Sequence, residues 1–153
     1  GNYRCIRANE MIPIKEAVYG DVEESRRIYD WVASLCTGLG ADAADLVPFE
    51  KYARAAEGLG RPSSAARALF SGAEHIERVD SLVGRISRQL GRHSDSVHEI
   101  VSLVDERLHR NRLAREHSAR RDLAIEPGAG DSETFNSASP GMVRRTIMRV
   151  HSY

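Results

Sequence analysis

Apolar residues in this chain recur at intervals of three and four rather than two, so the pattern predicts helices and no sustained strand. The strongest stripe covers residues 74–91, where Ile76, Val79, Leu82, Val83, Ile86 and Leu90 converge on one helical face. Each is worth roughly 1.5–3 kcal/mol when fully buried, which makes this the expected central helix. Residues 95–114 repeat the period with Val97, Ile100, Val101, Val104 and Leu108, behind a cap at Ser94 or Asp95 with Glu99 following. Residues 22–36 place Ile28, Tyr29, Val32, Leu35 and Cys36 at helical spacing. They follow Asp21, a suitable N-cap, and carry acids in the first turn, where the helix dipole favours them.

Glycine, proline and serine punctuate these stripes. Pro13 is expected to interrupt a helix over residues 2–19, which Gly20 ends. TGLGAD reads as a turn, and AADLVPFEKYARAAEG as a further helix with Pro48 near its start or at a break. Pro62, Ser63 and Ser64 open a short helix with Ala65, Ala66, Leu69 and Phe70 on its packing side, closed by Ser71 and Gly72. Beyond residue 118 the composition turns to Gly, Ser and Pro. The expected division is therefore a helical domain over 1–118 and an irregular or partner-dependent tail over 119–153, in which MVRRTIMRV could form a short helix or an added strand.

Length and apolar content suffice for one domain that folds without staples. Its 22 basic and 22 acidic residues balance, which argues against a chain built to neutralise a phosphate backbone. Cys5 and Cys36 are too few for a disulfide framework or thiolate metal site, and no apolar run approaches a signal segment or membrane span. These features predict a cytoplasmic protein without nucleic-acid or membrane partners. The chain opens on Gly1 with no methionine before Met11, so its start is expected to be an added residue or a cut inside a longer polypeptide.

GLGADA at residues 38–43 satisfies the dinucleotide fingerprint G-x-G-x-x-A in letters only, because the fingerprint needs a buried strand before it and WVASLC completes a helical stripe. GLGRPS fails likewise, its glycines suiting a helix C-terminus. His93, His98 and Glu99 do not stack on one helical face and lack a further ligand, so no metal site is expected. Acids interleave the arginines of residues 107–121, as on a solvated helix end. On a helical wheel Glu77 and Asp80 lie opposite Val79, Leu82 and Ile86, and Gly84, Ser87 and Gly91 continue their face. Such a stripe of small residues lets a helix, a symmetry mate or a ligand approach the backbone closely.

Ser64 at a helix start, followed after a short helix and turn by Glu77 and Asp80, resembles the C-terminal helical domain of the ketopantoate reductase family. GDVEESRRIYDWVASLCTGLGADAADL is similar to the family's second helix and loop, and SRQLGRHSDSVHEIVSLVDERL to its last two helices; residues 3–116 are covered. The resemblance implies an all-α domain of five or six helices with the 6-phosphogluconate dehydrogenase C-terminal-like fold. It also implies homodimerisation, and an upstream Rossmann domain whose NADP this chain could reach only if that domain is supplied in the same polypeptide or in trans. By that resemblance Glu77 is the catalytic candidate, and Ser64, Asp80, Arg4, Asn9 and Arg78 the substrate contacts.

The chain departs from the family at the general-acid lysine. Alignment on Pro13 puts Arg4, Ala8 and Ile12 at the lysine, asparagine and Asn-Pro positions; alignment on Asn9 puts Cys5, Asn9 and Pro13 there. Arginine, with a pKa above about 12, orients anions well and donates protons poorly near neutrality. The Ser64 to Glu77 spacing is one residue long and the acid pair is Glu-x-x-Asp, so Arg78 competes for the glutamate's place. The leading expectation is a substrate-binding and dimerising half of an NAD(P)-dependent oxidoreductase that does not transfer hydride alone. The alternatives are a stand-alone cofactor-independent cyclase, lyase or isomerase, with Glu77 or Asp80 as acid or base and Arg4 or Arg78 steadying an anion, and a non-catalytic dimer module meeting its mate through Gly84, Ser87 and Gly91.

Overall fold

The computed structural model describes residues 2–124, which form an all-helical protein. Six α-helices follow one another: α1 (Ile14–Tyr19), α2 (Val22–Gly38), α3 (Phe49–Glu57), α4 (Ser64–Phe70), α5 (Val79–Gln89) and α6 (Asp95–Ala124). Short 3-10 turns cover Asn2–Cys5 and Ala43–Asp45.

Local chemistry sets most of these limits. Asp21 accepts the Glu24 amide and starts α2, and Ser63 accepts the Ala66 amide and starts α4. Pro48 stands at the N-cap of α3, and Pro13 at the N-cap of α1. Proline there does not break a helix, because the amide it lacks would have no partner within the helix. The expected helix before Pro13 is absent: residues 6–11 turn back on themselves through an antiparallel bridge between Ile6 and Met11, with the Ile12 amide donating to the Cys5 carbonyl. Gly72, at φ +92°, closes α4 in a conformation that favours glycine.

The core divides at α1. Cys5, Ile6, Ile12 and Ala17 pack with Ala66 and Leu69 of α4 and with Val104 and Leu108 of α6. Val18, one residue on, faces the other way toward Phe49, Ala53 and Ala56 of α3, with Tyr29 and Tyr52 against that cluster.

Two expectations fail at α5. Its helix begins at Val79 rather than near residue 74, because residues 73–78 find other partners: Asn111 of α6 donates to the Leu69 and Ala73 carbonyls, Arg112 to the Glu74 carbonyl, and Tyr3 to the Glu77 carbonyl. Glu77 therefore does not share a helical face with Asp80. The helix is also turned about its axis. Asp80 and Ser87 are buried and Gly84 lies against Val101 of α6, whereas Val79, Leu82 and Leu90 are 45%, 55% and 42% exposed. Small residues admit close helix approach, and the partner of Asp80 reaches across to α6, so the small and polar face turns inward. α6 runs unbroken through residue 118 to Ala124, so the expected domain boundary falls within a helix. MVRRTIMRV and the rest of residues 125–153 lie outside the described residues.

Candidate functional site

The first turn of the chain and the start of α5 meet through one hydroxyl. Tyr3 Oη donates to the Glu77 carbonyl and accepts the Val79 amide at 3.2 Å, tying residues more than seventy positions apart in sequence. Burial pushes the Tyr3 hydroxyl above its ordinary pKa.

Arg78 is committed at this junction. Its Nε and Nη2 hold Asp80 at 2.9–3.2 Å, and its Nη1 reaches Asp105 of α6 at 2.6 Å. Hydrogen bonds to Asp80 first, and to Asp105, hold its guanidinium above the usual range. The bidentate pair occupies both oxygens of Asp80, whose side chain is 2% exposed. Such a carboxylate is a structural anchor for α5.

Arg4 is disposed differently. Half-buried, it donates from Nη1 to Ser25 Oγ, and no carboxylate among the described residues lies within ion-pair distance of it. Burial, and then Arg7, lower its pKa from the ordinary guanidinium value, with Glu24 and Asp21 acting weakly in the other sense. Those acids have their own partners: Asp21 caps the Glu24 amide, and Glu24 pairs with Arg27 and accepts from Ser96.

Three cavities adjoin Arg4. One of about 260 Å³ lies between α2 and α3 and is walled by Ser25, Ile28, Tyr29, Val32, Cys36 and Tyr52, among others. A second, of about 250 Å³, is polar and faces Asp21, Glu24 and Glu99. The third, about 160 Å³, joins Arg4 and Tyr3 to Val79, Asp80 and Val83 of α5. The half-burial of Ile28, Val32 and Cys36 on the α2 stripe follows from this perforated packing.

Of the residues singled out in the sequence, Arg4 and Asp80 line a common cavity and Arg78 binds Asp80. Glu77 joins them by its backbone carbonyl while its side chain is exposed. Ser64 is exposed in a separate open groove with Arg61 and Arg67, and Asn9 is exposed at the turn between Ile6 and Met11. Tyr3, Ser25 and Tyr52 were not singled out. Ser25 offered a signal, standing one turn before Tyr29 on the apolar stripe of α2; Tyr52 offered none that distinguishes it from a core aromatic.

GLGADA ends a helix: Gly38 closes α2, Gly40 adopts φ +99°, and Asp42 caps a 3-10 turn. Among the described residues no three His, Cys, Asp or Glu side chains are grouped to hold a metal, and no helix is long and apolar enough to cross a membrane. Comparison with family models, curated proteins and solved structures gives no match to this chain.

Proposed function

We propose that this chain is a helical substrate-binding domain of the kind found in ketopantoate-reductase-like NAD(P)-dependent oxidoreductases, with the 6-phosphogluconate dehydrogenase C-terminal-like fold. It contributes substrate contacts and depends on a separate Rossmann domain for NADP and hydride transfer. The observation that carries this reading is that Arg4 and Asp80, distant in sequence, line one cavity beside the Tyr3 junction. In it Arg4 orients the substrate carboxylate, Asp80 and Arg78 fix the wall, and Glu77 stands at the rim toward the partner domain. Dimerisation in this reading uses the exposed Val79, Leu82 and Leu90 face of α5, since Gly84 and Ser87 are turned toward α6 of the same chain.

Calorimetry and methyl NMR test it together. The chain alone is expected to bind no NADPH, and ketopantoate to shift Val83 and Ile100. Micromolar NADPH binding, or ketopantoate leaving both methyl sets unmoved, contradicts the reading.

A second reading is favoured by one observation: a cavity of about 260 Å³ beside Arg4 is walled by α2, α3 and Leu46, apart from Asp80 and Glu77. A stand-alone domain acting on a small ligand without a cofactor needs such a pocket, and turnover of that ligand by the chain alone would select it over the first reading.

A further inference from the structure

We propose that the cavity between α2 and α3 binds a small monocarboxylate with an unsubstituted apolar body, its carboxylate held between the Arg4 guanidinium and the Tyr52 hydroxyl. The proposal shares Arg4 with the reading above and needs neither its nucleotide nor its partner domain.

Charge comes first. A guanidinium drawn out of water is costly unless it is paired, and among the described residues Arg4 has one neutral hydroxyl as partner. Ser25 is saturated as a donor, since its single hydroxyl proton is shared between the Val18 carbonyl at 2.7 Å and the Asp21 carbonyl at 2.8 Å. It fixes Arg4 from behind and leaves the other guanidinium donors for a ligand. A planar two-donor fork matches a carboxylate.

Donors on the wall are few. Tyr29 Oη is spent on the Val47 carbonyl, whereas the Tyr52 hydroxyl makes no hydrogen bond among the described residues. Tyr52 also senses Arg4, whose charge opposes the rise that burial causes in its pKa. The Tyr29 and Tyr52 rings stack at 5.3 Å, and Tyr29 meets Phe49 edge-on, so Tyr52 is held in place by its neighbours.

Size and polarity set the rest of the ligand. At about 260 Å³ the cavity lies just below the range of about 300–1,000 Å³ usual for larger ligands. Ile28, Val32 and Leu46 offer no hydrogen bond, so a hydroxylated body would leave polar groups unpaired. A dianion would bring a second charge to a wall with one cation.

The test uses the full chain with phenylacetate and 4-methylpentanoate, and phenylacetamide as the neutral counterpart. Calorimetry should show saturable one-to-one binding of at least one acid. The amide should bind about tenfold more weakly or worse, and Arg4→Met and Tyr52→Phe should each weaken the acid, Arg4→Met by about tenfold or more. Cys36 lines the cavity while Cys5 is fully buried, so bound acid should slow reaction of the Cys36 thiol with a thiol reagent in proportion to occupancy. No binding by either acid at millimolar concentration, equal binding of the amide, or full affinity in Arg4→Met overturns the proposal. Should Arg4→Met fail to fold, Tyr52→Phe and Cys36 protection still decide. Ketopantoate shifts at Val83 and Ile100 together with no binding of either apolar acid would sink this site and leave the proposed function standing.

Discussion

The two regions flanking the first turn of the chain solve the same problem with opposite quality of packing. Toward α4 and α6, Cys5, Leu69 and Val104 are entirely out of water and Arg107 of α6 lies over the Phe70 ring at 3.5 Å. Toward α2 and α5, side chains of the same apolar character stop short of one another, and Arg4 stands among the resulting cavities with a serine for company. The difference lies in what each side surrounds. A closed cluster around short residues and a leucine seals itself; a half-buried cation cannot be sealed without a partner, and the fold leaves room beside it.

Truncation on the two sides should therefore cost different amounts. Leu69→Ala is expected to lower unfolding free energy by about 2–5 kcal/mol in denaturant titration, because it opens a new void in close packing. Val32→Ala, which enlarges a void already present, should cost less than half as much. Equal losses would erase the contrast.

Arg78→Met should follow at about 3 kcal/mol, near the lower end for a broken buried pair, because Asp80 keeps its charge and loses its partner. Asp80→Asn in the same background should recover part of that loss, as a double-mutant cycle would register.

The orientation of α5 gives a paired comparison. Gly84→Leu should cost about 1–3 kcal/mol, since a Cβ there already stands 3.7 Å from Val101. In the monomer, Leu82→Ser should change stability by no more than about 0.5 kcal/mol. A helix packed by its apolar stripe would reverse the order.

Those substitutions also mark where sequence reasoning stops. The period of three and four located α2, α4 and α6, and Asp21 and Ser63 marked two helix starts, because these signals act within one or two turns of chain. The same period showed that α5 has an apolar face and could not show which face is inward. That choice depends on Asp105 arriving from α6 and on Val101 fitting against Gly84, contacts made between helices. Residues 2–12 carry Cys5 and Ile6 into the core without periodicity, held by a bridge and by Tyr3, so they read as an interrupted helix. Of the candidate site, Arg4, Arg78 and Asp80 came from matching positions along the chain, and the opposite fates of the two cations, one with no acid paired to it among the described residues and one clasped by two, are properties of the fold.

A smaller effect belongs to the exposed rim. Arg26 donates to Glu50 at 2.7 Å and holds its carboxyl below the ordinary range. A carboxylate depressed in the folded state contributes stability above its unfolded pKa and loses it as pH falls through the folded value. Arg26→Ala should lower neutral-to-alkaline stability slightly, leave stability at the acid end nearly as it was, and so flatten the acid-side slope between them in pH-dependent melts.

The most direct measurement is the stability of unliganded Arg4→Met. Methionine keeps much of the apolar stem and removes the desolvated charge. If Arg4 is held ready for a ligand carboxylate, the variant should unfold at the same or a higher denaturant midpoint with an unchanged slope, as expected where a functional group is kept at a cost to stability. A loss of about 2 kcal/mol or more would show Arg4 to be a structural tie, and would contradict its assignment as an anion anchor.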